Sequence, residues 1–229
     1  GISPGGENAS TGIVRNSGTI TAGDNGIVVG SYAAARAAAQ DGTSVTANSG
    51  LIENTSGATI TAGDNGIYFY GDNAATGRVV NAGTIAAEDG GILLAGYNLG
   101  EISNTGTIED GPSGIGVWLD NSGRIANSGT ITAAMGGIGI QGNNTVAGTI
   151  FTSGTITASS GLGVVVGGSN AGTITNTGAI TAGLDGINVY GANTGTITSS
   201  NEAASIVATG NGISVGYQSM GPLGGDGDE

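Results

Sequence analysis

Isoleucine and valine recur along this chain on a fixed beat. Aligned by apolar position they form three columns, the first of which runs Val14, Ile52, Val79, Ile102, Ile125, Ile150, Ile174 and Ile197. The second runs Ile20, Ile60, Ile85, Ile108, Ile131, Ile156, Ile180 and Ile206, and the third Ile27, Ile67, Ile92, Ile115, Ile138, Leu162, Ile187 and Ile213. Successive members of a column lie 23 to 27 residues apart, except for a first step of 38 to 40. A fixed period of this length marks a solenoid, in which each repeat buries its apolar face by stacking on the next. Within a repeat, apolar and small polar residues alternate, as in Thr19-Ile20-Thr21 and Ile187-Asn188-Val189, which is the period of a half-buried strand. Runs of four or five residues are too short for helices, and Gly, Asp and Asn punctuate them at the bends.

The pattern predicts an all-β fold, a parallel β-helix (β-solenoid) of about eight three-stranded coils of 23–27 residues over 12–217. At about 4.8 Å per coil the rod is roughly 38 Å long. Residues 1–11 read as an N-terminal extension and 218–229 as a flexible, acidic, Gly-rich tail. The long first step places an insertion at 31–49, whose Tyr32 to Gln40 (Y-A-A-A-R-A-A-A-Q) forms a short Ala-rich helix closed by Asp41-Gly42. That helix is expected on the flank of the solenoid, over Val28, Tyr68 and Leu93, as a tolerated insertion or a docking element.

Two places after each first-column residue stands an asparagine: Asn16, Asn54, Asn81, Asn104, Asn127 and Asn176, with Thr152 and Ser199 filling the gaps. Two places along a strand is the same face, so these amides are expected to stack at a corner and hydrogen-bond along the axis as a structural ladder.

Repeats close to N-[ST]-G-T-I-x-A-x-x-x-G-I-x-V lie at Asn16 to Val29, Asn81 to Leu94, Asn104 to Val117 and Asn127 to Ile140. They resemble repeats in the passenger domains of bacterial autotransporters and related secreted β-helical adhesins, over Gly12 to about Tyr217. The resemblance implies a right-handed β-helix, displayed at the bacterial cell surface or released as an extracellular protein. The matching positions are core and corner positions, so it carries architecture rather than activity. The chain opens on Gly1, as a processed or excised piece would, and it departs from a full-length autotransporter in lacking the transmembrane barrel: either the barrel has been left out or the resemblance is to the repeat alone.

Composition removes most chemistry. The chain has no histidine, cysteine or lysine, so Ser-His and Cys-His nucleophiles, the common zinc ligand sets, Schiff bases and P-loop chemistry are excluded. Four arginines against a net charge of -13 argue against nucleic acid and anionic membrane as partners. No apolar run approaches the roughly 20 residues of a spanning helix, and no membrane insertion is expected. A catalytic role is not expected.

Three candidate sites remain. Asp24, Asp64 and Asp89 occupy equivalent corner positions, with Glu88, Glu109 and Asp110 beside them, and calcium is the one cofactor they could hold. Turn chemistry explains Asp-Gly and Asp-Asn-Gly at a bend equally well. The tail sequence Gly224 to Glu229 touches the calcium repeat G-G-x-G-x-D once, without the tandem copies that build such sites. A second candidate is the Thr-x-Thr face of the second column: Thr19 and Thr21, Thr59 and Thr61, Thr130 and Thr132, Thr155 and Thr157. Parallel Thr files resemble the ice-binding surface of some antifreeze proteins, although Ala86, Glu109, Ala179 and Val207 interrupt them. Third, Tyr70, Trp118, Val165 and Tyr190 are expected on the outer side of the third column, where aromatic rings suit sugar stacking or a protein interface. The expected role is adhesion or scaffolding, with a glycan or a host or neighbouring cell surface as partner. The alternatives are a self-assembling filament subunit stacking end to end on copies of itself, an ice-binding protein and, last, a glycan-cleaving enzyme.

Overall fold

A computed structural model describes residues 1–216 apart from 42 and 110. The acidic tail, and with it the single G-G-x-G-x-D match, lies outside the described residues. Three parallel sheets of eight strands each run from Ile13 to Val215, one strand per coil in each sheet, so eight coils are joined by seven coil-to-coil steps. The fifth coil is representative: its strands are Arg124–Asn127, Thr130–Ala133 and Gly136–Ile140. Register holds without slippage along each sheet. Ile102 pairs with Ile125 and Ile125 with Ile150 in the first, Ile108 with Ile131 and Ile131 with Ile156 in the second, Ile92 with Ile115 and Ile115 with Ile138 in the third.

The core is these isoleucine files. From Ile27 to Ile187 the third-sheet residues are fully buried, joined by a second inward file of Val29, Phe69, Leu94, Val117, Ile140, Val166 and Val189. Each such side chain contributes about 1.5–3 kcal/mol through removal from water, and stacking identical side chains keeps the section constant from coil to coil. One sequence assignment changes. In the third sheet Ile138 pairs with Val164, and Leu162 pairs with Gly136. Val164 is the core residue, because alternation fixes only which face a side chain takes and a shift of two positions leaves that face unchanged.

A file of glycines opens the third sheet. A Cβ on Gly114 or Gly137 would collide with Ile131 Cγ2 or Ile156 Cγ2 of the following coil and with the carbonyl of the next glycine in the file. Gly66, Gly91 and Gly163 stand in the same relation to Ile85, Ile108 and Ile180. None of these glycines has a positive φ, so space and not conformation selects the residue.

The insertion forms a helix, Tyr32–Asp41, capped by the Ser31 hydroxyl, which accepts from the Ala34 amide at 3.4 Å. Its Tyr32 reaches the edge of the third-sheet face at Tyr70, and Val28, Tyr68 and Leu93 on that face are half-buried. Gly30, at φ +88°, turns the chain off that face at the corner. Ala35 and Ala38 then overhang Gly71, Asp72, Gly96 and Leu119 across a cavity of about 110 Å³.

At the N-terminus, Ile2 and Asn8 join the stack. The Ile2 amide donates to Gly26, Ile2 accepts from the Val28 amide, and Asn8 bridges Asn48. The outer face of the first sheet carries alternating charge. Arg15 meets Glu53 at 2.7 Å, and Glu101 sits between Arg78 at 3.1 Å and Arg124 at 3.9 Å. These half-exposed pairs are worth about 0–1 kcal/mol each, and they favour the observed register only weakly, since a slipped strand would separate Glu101 from Arg78 and Arg124.

Candidate functional site

Two asparagine ladders hold the corners from inside. In the first, each Nδ2 donates to the next Oδ1: Asn16 to Asn54 at 2.9 Å, then Asn54 to Asn81, Asn81 to Asn104 and Asn104 to Asn127, each at 2.8 Å. Thr152 accepts from Asn127 at 3.4 Å and Ser199 from Asn176 at 3.1 Å, so hydroxyls stand in where asparagine is missing. A second ladder, at the corner between the third and first sheets, has no counterpart in the sequence expectation. It runs unbroken through Asn8, Asn48, Asn73, Asn98, Asn121, Asn144, Asn170 and Asn193 at 2.6–2.9 Å. Its signal was available, because the pentapeptide N-x-G-x-I at Asn16 and Asn104 also occurs at Asn48, Asn98, Asn121, Asn170 and Asn193.

Acidic corner residues are tied to the stack as well. Asp72, Asp120 and Asp185 each accept, through Oδ1, from a backbone amide of the next coil, at Tyr97 (2.8 Å), Asn143 (2.7 Å) and Asn211 (2.6 Å). Asp24, Asp64 and Asp89 are stacked through their backbones, Asp64 donating to Asp24 at 3.2 Å and Asp89 to Asp64 at 3.0 Å. Their carboxylates do not converge: among the described residues no three acidic, histidine or cysteine side chains form a group able to hold a metal ion. Asp110 lies outside the described residues.

The Thr face is one regular file and one interrupted file. Register places Thr84 and Thr107 between Thr59 and Thr130, so Thr19, Thr59, Thr84, Thr107, Thr130 and Thr155 follow one another over six coils. Beside them, Thr21 and Thr61 are separated from Thr132 and Thr157 by Ala86 and the charged Glu109.

The outer face of the third sheet gathers most of the expected aromatic site. Its central file reads Val28, Tyr68, Leu93, Gly116, Gly139, Val165, Asn188 and Ser214. Tyr70, Trp118, Gln141 and Tyr190 belong to the neighbouring file on the same face, two residues further along the chain in each coil. Tyr70 and Trp118 are linked through Tyr68, with ring centroids 4.7 Å and 6.4 Å apart, and Tyr32 of the helix joins Tyr70 at 5.5 Å, all edge to face. Tyr190 lies at the other end of a groove of about 380 Å³ that begins at Trp118, is floored by Gly116 and Gly139, and has no charged lining residue. Trp118 and Tyr190 are 44% and 41% exposed, which leaves both rings open to a ligand. Val165 closes the floor, and Met135 rises from the opposite corner.

Burial pushes the Tyr68 phenol above its ordinary value of 10.0, and the adjacent Tyr70 adds to the shift. The fold thus favours the neutral phenol, so Tyr68 contributes stability that is complete below about pH 10 and is lost as the pH rises through its folded value. A melting series across that range is expected to fall more steeply for the parent chain than for Tyr68→Phe. Superimposable curves would remove Tyr68 from the alkaline limb.

Comparison with protein-family models, with curated proteins and with solved structures finds no match to this chain.

Proposed function

We propose that this protein is a non-catalytic adhesive or scaffold rod, extracellular or on a bacterial cell surface, that engages its partner through the outer face of the third sheet. The observation that carries the reading is the uncharged groove between Trp118 and Tyr190, where two large exposed aromatic rings flank a floor without side chains. Exposed apolar and aromatic surface of this kind marks interaction sites on soluble proteins, and aromatic anchors carry a disproportionate share of binding energy. The absence of histidine, cysteine and lysine supports a role without covalent or general-base chemistry. The autotransporter-like repeat pattern supports surface display.

Beads coated with the protein and scored for attachment to a panel of bacterial and host cells test this. Losing an aromatic anchor costs about 2 kcal/mol or more, so Trp118→Ala and Tyr190→Ala are each expected to weaken attachment about thirtyfold. Thr132→Ala, on the second sheet, is expected to leave it unchanged. Equal attachment by all variants would remove the third face from the function.

A further inference from the structure

Resting on that reading of the third face, we propose that the groove over Gly116 and Gly139 is a subsite for a short run of uncharged pyranose units, laid along the axis from Trp118 to Tyr190. The inference starts from two glycines that the fold does not need. Gly116 and Gly139 are each the fourth residue of a five-residue strand, and neither has a positive φ. A Cβ on Gly116 would come no closer than 3.4 Å to Leu93, and one on Gly139 no closer than 3.4 Å to Val165. Two residues earlier in the same strands, Gly114 and Gly137 face inward, and there a Cβ would collide with the next coil. The inner glycines are therefore required by packing, and the outer pair are not. Elsewhere the same file carries side chains, at Val28, Tyr68, Leu93 and Val165. Glycine mid-strand weakens a sheet, and a position where packing does not demand it is one where something else approaches the backbone closely.

The shape of the gap indicates what approaches. Leu93 and Val165 bound it three coils apart, about 14 Å at the usual strand spacing. Trp118 and Tyr190 are likewise three coils apart in the adjacent file, with Gln141 and Gly167 between them. The opening is a slot along the axis with a flat floor and an aromatic ring at each end of one wall. Its charge environment narrows the choice further. No lining residue is charged, in a chain whose net charge is -13, so an anionic ligand is repelled and a cationic one finds no carboxylate in the slot. A pyranose ring matches the rest. Its C–H faces lie against aromatic faces, and its hydroxyls need donors and acceptors, which the Gln141 amide, the Ser113 hydroxyl, the Trp118 indole N–H and the Tyr190 hydroxyl supply. A purely apolar ligand would leave those polar groups without partners.

Trp118 is the chain's single tryptophan, so its fluorescence reports on the slot directly. The probes are cellohexaose, maltohexaose and mannohexaose, with hexagalacturonate as the anionic control. A saturable shift of Trp118 emission with at least one neutral hexasaccharide, and none with hexagalacturonate, is expected. Gly139→Val fills the floor with a residue that strands favour, so it is expected to keep or raise the melting temperature while weakening that sugar at least about tenfold. Gln141→Ala, at an exposed position, tests the same contact without touching the floor. No shift with any neutral hexasaccharide at millimolar concentration, or undiminished binding by both variants, overturns the proposal. The bead assay separates the two levels. If Gly139→Val loses cell attachment while no sugar binds, the ligand class is wrong and the adhesive face stands; if it loses neither, both readings fall.

Discussion

Asn121→Leu is expected to destabilise the solenoid by about 2–6 kcal/mol. Asn121 is fully buried, accepts from Asn98 Nδ2 at 2.7 Å and donates to Asn144 Oδ1 at 2.8 Å. Leucine has nearly the same branching, so little cavity or overlap results. What changes is that the Asn98 donor and the Asn144 acceptor lose their partner inside the stack, and each such group costs about 1–3 kcal/mol. The low dielectric of the interior adds to this, because ladder amides aligned head to tail polarise one another. The natural interruption in the first ladder supplies the comparison. Thr152 keeps an acceptor within 3.4 Å of Asn127, so Asn121→Thr is expected to cost clearly less than Asn121→Leu. Because each coil touches only its neighbours, hydrogen exchange should rise first around the fourth to sixth coils, before the ends respond. A melting temperature for Asn121→Leu equal to that of the parent would show that the second ladder contributes no stability.

Much of this architecture could be read from the chain, and the reasons for the misses are physical. The isoleucine files were legible because a half-buried strand forces alternation, and a constant coil length repeats it in register. Alternation alone does not separate Leu162 from Val164, because a two-residue shift preserves it. The glycine before the core residue is the better marker, as in Gly137-Ile138 and Gly163-Val164, since its position is fixed by collision with the isoleucine of the next coil. The second ladder escaped because most of its asparagines bridge as single residues with no alternating strand around them. Extra residues also interrupt its pentapeptide after Asn73 and Asn144. The groove was half legible. Alternation placed Trp118, Val165 and Tyr190 on the outside, but it could not separate the floor glycines from the corner glycines of a chain that has 49. Only their surroundings distinguish Gly139, which has room for a side chain, from Gly137, which has none.

That contrast yields a test within one strand. Gly137→Ala is expected to cost about 3 kcal/mol or more, while Gly139→Ala is expected to be neutral or stabilising by up to about 1 kcal/mol. At Gly137 the added methyl would stand 2.6 Å from the Gly163 carbonyl oxygen and inside contact distance of Ile156 Cγ2. The isoleucine cannot retreat, since it is fully buried among its own file, and the carbonyl belongs to a backbone fixed by the sheet on both sides. Overpacking of this kind forces a backbone shift, and in a solenoid the shift has to be absorbed by adjoining coils. At Gly139 the methyl meets only Val165 and lowers the entropy of the unfolded chain. A double-mutant cycle identifies the cause. Ile156→Ala removes the colliding methyl and by itself costs about 2–5 kcal/mol through the cavity it leaves. Combined with Gly137→Ala, the two changes should cost clearly less than their sum, because the new methyl occupies part of that cavity. Strict additivity in urea unfolding would mean that the carbonyl, and not the isoleucine, sets the glycine requirement. Equal melting temperatures for Gly137→Ala and Gly139→Ala would mean that the inner file is not close-packed at all.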